Sequence, residues 1–191
     1  APSGGALKAE WVLALGEALR AGLSIVSGLH RKLSEESALV AAAAASGQQL
    51  LDVRVPPASI PIASGRQRSG KRLLMVGTDC CVGKKYSALA LHRALKAHGV
   101  AATFRATGQT GILIAGGGIP MDAVVSDFLS GAAEILTPDA APDHWDVIEG
   151  QGSLFHPAYA AVTLGLLHGS QPDAMVLCHA VGRTEIDEYE D

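Results

Sequence analysis

Trp11, Leu15 and Leu19 recur at i, i+4 and i+8, which predicts an amphipathic helix over residues 6–21 with Gly22 as its stop. Residues 23–27 are a short apolar run of strand length. Ser34 stands where it would cap a second helix, with Glu35 and Glu36 favouring the positive end, alanines at 41–45 continuing it and Gly47 ending it. Another apolar run at 50–55 reads as a strand closed by Pro56 and Pro57. Residues 56–70, rich in Pro, Ser, Gly and Arg, read as a linker.

Beyond the linker the pattern repeats its alternation. It predicts strand 72–76, loop 77–83, helix 84–98 stopped by Gly99, strand 100–104 and a glycine-rich stretch 107–118. A helix over 121–136 follows Pro120, then strand 146–148, helix 158–168 and strand 174–178. No internal repeat is visible. The expected fold is α/β: a mostly parallel sheet with helices on both faces over 71–191, preceded by a partial α/β unit over 1–55. Ligands of such sheets bind beyond the carboxyl ends of the strands, where loops 77–84, 105–111 and 149–156 all fall.

The first of these loops carries the clearest chemistry. A buried strand, Leu73 to Val76, runs into Gly77, Thr78, Asp79, Cys80, Cys81, Val82 and Gly83, then into a helix opening with Lys84, Lys85 and Tyr86. Glycines and small residues there turn successive N–H groups inward at a positive helix end, which makes an anion nest. Lys84 supplies a charge for phosphate oxygens. Lys85 stands where loops that cleave nucleotides with Mg²⁺ place a Ser or Thr hydroxyl on the metal. An ammonium cannot ligate Mg²⁺, so phosphate binding is expected and hydrolysis is in doubt; Ser87 and Thr78 are the compensating hydroxyls. Cys80 and Cys81, near a helix start and Lys84, are expected to have lowered pKa values, although tolerated small residues are the plainer reading.

In the second loop Arg105 can pair bidentately with a phosphate or carboxylate, and Thr107, Gln109 and Thr110 can fix polar ligand atoms; a plain surface turn is the competing reading. In the third, Glu149 follows an apolar strand and precedes Gly150 and Gly152, a position suited to orienting a metal or water or to taking a proton from an amine. His156 is the nearest group with a near-neutral ordinary pKa, and His179 is a weaker candidate.

Composition narrows the function classes. The 191 residues are 48% hydrophobic and 18% charged, as expected of a soluble globular protein with a core. A net charge of -4 excludes a basic nucleic-acid surface, and no apolar run is long enough to span a bilayer. Cys80, Cys81 and Cys178 read as free thiols of a reducing cytoplasm. The five acidic residues of 185–191 are expected to form a solvated end. A chain without an initiator Met, opening in a flexible 1–5 stretch and stopping soon after a strand, reads as truncated at its C-terminus.

The 77–84 and 149–152 loops are similar to those of the dethiobiotin synthetase and cobyric acid synthase superfamily, which place ATP on the first and use the second's glutamate around Mg²⁺. A broader likeness runs through Ser27 to His30, 77–86, 105–116, 143–157 and 166–173. It resembles a P-loop family that includes D-glutamate N-acetyltransferases and whose members begin with a Rossmann-like half. That resemblance implies acetyl-CoA as donor and an acidic D-amino acid, D-glutamate foremost, as acceptor. It would place coenzyme A phosphates on 77–86, a substrate carboxylate on Arg105, and proton removal from the amine on Glu149 with His156. No metal ligand is assigned, and the partners expected are small molecules, with self-association left open. The rivals are an ATP- and Mg²⁺-dependent ligase or kinase, and a non-catalytic nucleotide-binding module whose vicinal cysteines sense redox state.

Overall fold

Leu19 and Leu39, on successive helices, meet at the centre of the first part of the chain. In the computed structural model, which describes residues 7–189, the chain forms two units, residues 1–55 and 56–191. In the first, α1 (Ala9–Arg20) and α2 (Ser37–Ser46) bury Leu19, Leu33, Leu39 and Ala43. Two short parallel strands, β1 (Ile25–Ser27) and β2 (Leu50–Asp52), pair Ile25 with Leu50 and Ser27 with Asp52. Trp11 is 40% exposed, so the stripe is anchored by Leu19. Ser34 does not cap α2, which begins three residues later. The amides of Leu33 and Ser34 instead donate to the Asp52 carboxylate at 2.8 and 3.0 Å, a strand residue capping a turn. The expected flexible opening 1–5 lies outside the described residues.

The second unit is a four-stranded parallel sheet in the order β4-β5-β3-β6, formed by β3 (Lys71–Gly77), β4 (Ala102–Arg105), β5 (Trp145–Ile148) and β6 (Ala174–Cys178). Strand alternation sends Leu73, Met75 and Val147 to one face, against Ala88, Leu91 and Leu95 of α3 (Lys84–Ala97). Leu74, Val76 and Ile148 turn to the other face, where they meet α5 (Leu129–Leu136) and α6 (Ala160–Ser170). Helices therefore cover both faces, as the pattern predicts. The helices α5 and α6 approach closely because a Cβ on Gly169 would lie 2.2 Å from the Ser130 carbonyl oxygen.

Three local expectations change. The 107–118 stretch contains a short helix, α4 (Gln109–Ala115), ended by Gly116 at φ +74. The helix expected over 121–136 is α-helical only in α5; two 3-10 turns precede it, separated by the extended, β-branched Val124 and Val125. Residues 61–69, expected as linker, are fastened to the second unit. Glu134 accepts from the amides of Ser64 (2.9 Å) and Gly65 (2.7 Å), and Arg68 Nη2 donates to the Gly169 carbonyl at 2.7 Å.

Candidate functional site

At the carboxyl edge of the sheet, β3 ends in Gly77, and the chain turns through Cys81 (φ 54) and Gly83 (φ 93) into α3. Gly77 sits in a tight place: a Cβ would lie 2.9 Å from the Asp79 carbonyl oxygen, a backbone atom, as well as 2.8 Å from Val82 Cγ2. The Lys84 ammonium is buried and donates to the Asp79 carbonyl at 2.7 Å. Burial pulls its pKa below the ordinary lysine value, while the nearby thiols and Asp79 oppose that fall. Residues 80 and 81 form a hydrogen-bonded turn, and the N–H groups of Gly83, Lys84 and Lys85 after it have no hydrogen-bond partner among the described residues. They open, with residues 80–86, 108–110 and 149–152, onto a cavity of about 530 Å³. Unsatisfied donors at a helix start, beside a buried cation, make a site for an anion.

Glu149 lies across this cavity at the end of β5, 2% exposed. Its Oε2 accepts from the amides of Thr107 (2.9 Å) and Gly108 (3.0 Å), while its Oε1 accepts no hydrogen bond among the described residues. Burial raises its pKa above the usual carboxylate range, and the two amides and Lys85 act against that rise. Two glycines make room: a Cβ on Gly111 would lie 2.1 Å from Oε2, and one on Gly150 would meet the Met75 carbonyl at 1.8 Å.

The remaining candidates are distributed more widely. Gln109 and Thr110, at the start of α4, line the cavity. Thr107 is fully buried, its hydroxyl donating to the Glu149 carbonyl at 2.7 Å and accepting from Gln151 at 3.2 Å. Arg105 donates to Asp146 at 2.8 Å and does not line the cavity. The Thr78 hydroxyl lies 3.0 Å from His179 Nδ1 and is not on the cavity wall. Lys85 and Tyr86 stand at the rim, with the ammonium 5.0 Å from the ring centre.

Asp79 and His156 face the other side of the loop. Asp79 Oδ2 accepts from Arg183 Nη1 and from the Asp187 amide, each at 2.9 Å, and Oδ1 from the Cys80 amide at 2.6 Å. Burial would raise its pKa, but these donors hold it below the ordinary aspartate value. His156 is 1% exposed; Nδ1 accepts from the Ala158 amide at 3.2 Å, so Nε2–H donates to the Asp187 carbonyl at 2.9 Å. Both ring nitrogens are thereby used by backbone groups. The ligand atoms of Asp79, Cys80 and His156 gather within 4.8 Å, but the Arg183 guanidinium already provides the cation that Asp79 faces.

Two expectations are corrected here. Burial raises the Cys80 and Cys81 thiols above their ordinary pKa; the nearby Lys84 charge and, at Cys81, Arg183 are too weak to reverse it. The acidic end is not merely solvated, since Asp187 binds Asp79 and His156 and Glu188 accepts from the Tyr159 hydroxyl at 3.0 Å; its last two residues lie outside the described part. Gly108, Gly111, Gln151, Arg183 and Asp187 were missed as site residues. The glycines signal only by flanking candidate side chains, and the last two lie about a hundred residues from the loop they touch.

A strand, a glycine-turned loop, a buried lysine heading a helix and an acid ending the adjacent strand define an α/β domain of the P-loop class. This chain belongs to the DUF1611 family: that family's P-loop domain, a domain of unknown function, matches residues 61–191, and its Rossmann-like N-terminal domain matches residues 1–56. A protein of Tritonibacter scottomollicae named D-glutamate N-acetyltransferase is 56% identical over 183 residues, covering 96% of this chain and 55% of that protein. A protein of the same name from Pseudoalteromonas sp is 54% identical over 186 residues, covering 97% of this chain and 56% of that protein. The crystal structure of a DUF1611 family protein from Anabaena variabilis has a TM-score of 0.91 at 41% identity, over 99% of this chain and 55% of that one. The chain thus spans about half the length of the curated relatives it matches. Among the described residues no helix is long and apolar enough to cross a membrane.

Proposed function

We propose that this chain carries the donor site and the proton acceptor of an N-acetyltransferase that moves acetyl from acetyl-CoA to the amine of an acidic D-amino acid, D-glutamate foremost. The observation that carries the reading is the pairing, across one cavity, of unsatisfied loop amides beside buried Lys84 with a buried carboxyl, Glu149, whose pKa is raised. The names of the two relatives support an acetyl group as the group transferred and D-glutamate as its acceptor. Lys85 supports a thioester donor over a nucleotide to be cleaved, because an ammonium takes the place of a Mg²⁺-ligating hydroxyl.

The residues present fit a diphosphate-bearing donor. Amides 83–85 and the Lys84 ammonium, which here donates to the Asp79 carbonyl, would hold the phosphates. Bound there, acetyl-CoA supplies an activated acyl group. An amine attacks only when neutral, and Glu149 takes the proton it loses, a transfer favoured by a carboxylate whose basicity burial has increased. Gln109 and Thr110 sit where they orient groups at the mouth. The neutral amine would gain the acetyl group and lose one proton to Glu149, which would pass it to the departing thiolate, so that coenzyme A leaves as the free thiol and Glu149 returns to the carboxylate.

Separate calorimetric titrations with acetyl-CoA and Mg·ATP, paired with mass spectrometry of D-glutamate incubations, test the reading. Preferred acetyl-CoA binding and an acetylated amino acid are expected; ADP release that depends on an acceptor would replace this reading with the ligase one. The raised thiol pKa values of Cys80 and Cys81 weigh against a redox-sensing module.

A further inference from the structure

The segment following β6 returns to the phosphate loop and holds it from behind. Arg183 Nη1 reaches Asp79 Oδ2 and the Cys80 carbonyl, both at 2.9 Å. The Asp187 amide adds a second donor to the same carboxylate oxygen. The segment is itself pinned: His156 Nε2 donates to the Asp187 carbonyl, the Tyr159 hydroxyl donates to Glu188, and the Tyr189 ring meets His156 edge-on at 5.3 Å between centroids. Cys80 and Cys81 line the cavity, but Asp79, His156, Tyr159, Arg183 and Asp187 do not. The contacts converge on Asp79, whose carbonyl holds Lys84 and whose carboxylate holds the amide of Cys80, at the head of the loop's open amides.

We infer that Arg183 is a positioning residue of the phosphate site: with Asp187 and His156 it forms a clasp that fixes Asp79, and through Asp79 the amide nest and the resting place of Lys84. Asp79 and His156 serve here as parts of the clasp, not as ligands of the donor. The physical reason is entropic as well as electrostatic. Loop 78–83 must present several donors to one anion, and ordering it in advance lowers the free-energy cost of binding. A buried carboxylate held by a guanidinium and two amides is a stiff anchor for that purpose.

The inference rests on the proposed donor site, but its test does not depend wholly on it. In the full chain, Arg183→Ala should weaken acetyl-CoA binding about tenfold, as loss of one charge-assisted hydrogen bond does. KM for the acidic amino acid should stay within about twofold. Alkylation of Cys81 by iodoacetamide, followed by peptide mass spectrometry, should speed up about tenfold as the loop loosens, while buried Cys178 stays protected. Arg183→Lys keeps a donor for Asp79 and should recover most of both effects; it also serves if the alanine variant does not fold. Unchanged labelling and affinity in a folded Arg183→Ala would overturn the clasp. So would equal exposure of Cys178, or equal loss of affinity for both substrates, since either marks a general loss of structure. If the wild-type chain binds no acetyl-CoA, the proposed function fails, and the Cys81 labelling ratio alone decides the clasp.

Discussion

A carboxyl group taken out of water favours its protonated form, and Glu149 sits in that condition with only two amides and a nearby ammonium opposing it. Because its folded pKa is raised, the folded state binds more protons than the unfolded chain above the ordinary glutamate pKa. Its contribution to stability therefore falls as pH rises through that window. Glu149→Gln removes the charge, keeps the shape, and leaves an acceptor for Thr107 and Gly108. Thermal melts at pH 8 should show this variant at least as stable as the wild type, while turnover drops about 100-fold, the scale of a lost general base. Retained turnover would remove Glu149 from the chemistry. The wild-type rate should also rise with pH to a midpoint above the usual carboxylate range. Glu149 was legible in the sequence because an acid ending an apolar strand before glycines has few structural uses. His156 was legible only as a histidine near a site. Its Nε2 is occupied by the Asp187 carbonyl, thirty-one residues away, a contact that no local spacing encodes.

At the scale of elements, the site is an outcome of strand ends and helix starts meeting at one edge. Strand β3 and the head of α3 were readable from their apolar run and Gly-Lys junction, since a buried parallel strand leaves little ambiguity. Helix α4 was not, because its glycines suggest a loop. Gly111 is tolerated there because a Cβ would collide with Glu149 Oε2, so helix propensity yields to the acid it must accommodate. Two glycine substitutions separate packing from chemistry. Gly111→Ala should displace the Glu149 carboxylate and lower kcat more than tenfold, with acetyl-CoA affinity nearly unchanged. Gly150→Ala should instead drive a methyl into the Met75 carbonyl and cost about 2–4 kcal/mol of stability, seen in chemical denaturation. Equal stability losses in both variants would contradict this division.

Across the whole chain the two units are built to different standards of burial. The P-loop unit covers both faces of a four-stranded sheet and adds residues 61–69 across α5 and α6, an attachment between positions about seventy residues apart that composition alone disguises as a linker. Among the described residues the core cluster of the first unit holds four buried apolar side chains, beside two three-residue strands, with Val26 and Leu51 more than half exposed. A two-stranded sheet contributes little by itself, and so small a core limits the free energy of local opening. Hydrogen exchange should therefore release the amides of β1 and β2 at least about tenfold faster than those of β3 and β5. Saturating acetyl-CoA should slow exchange across 77–87, because a ligand that binds only the folded site stabilises it by mass action, about 2.7 kcal/mol at a hundredfold excess over Kd. The same ligand should leave β1 and β2 unchanged if their opening is independent of the phosphate site. Slowing of both regions together would instead mean that donor binding draws on both units, and the site would then have to be sought across the whole chain.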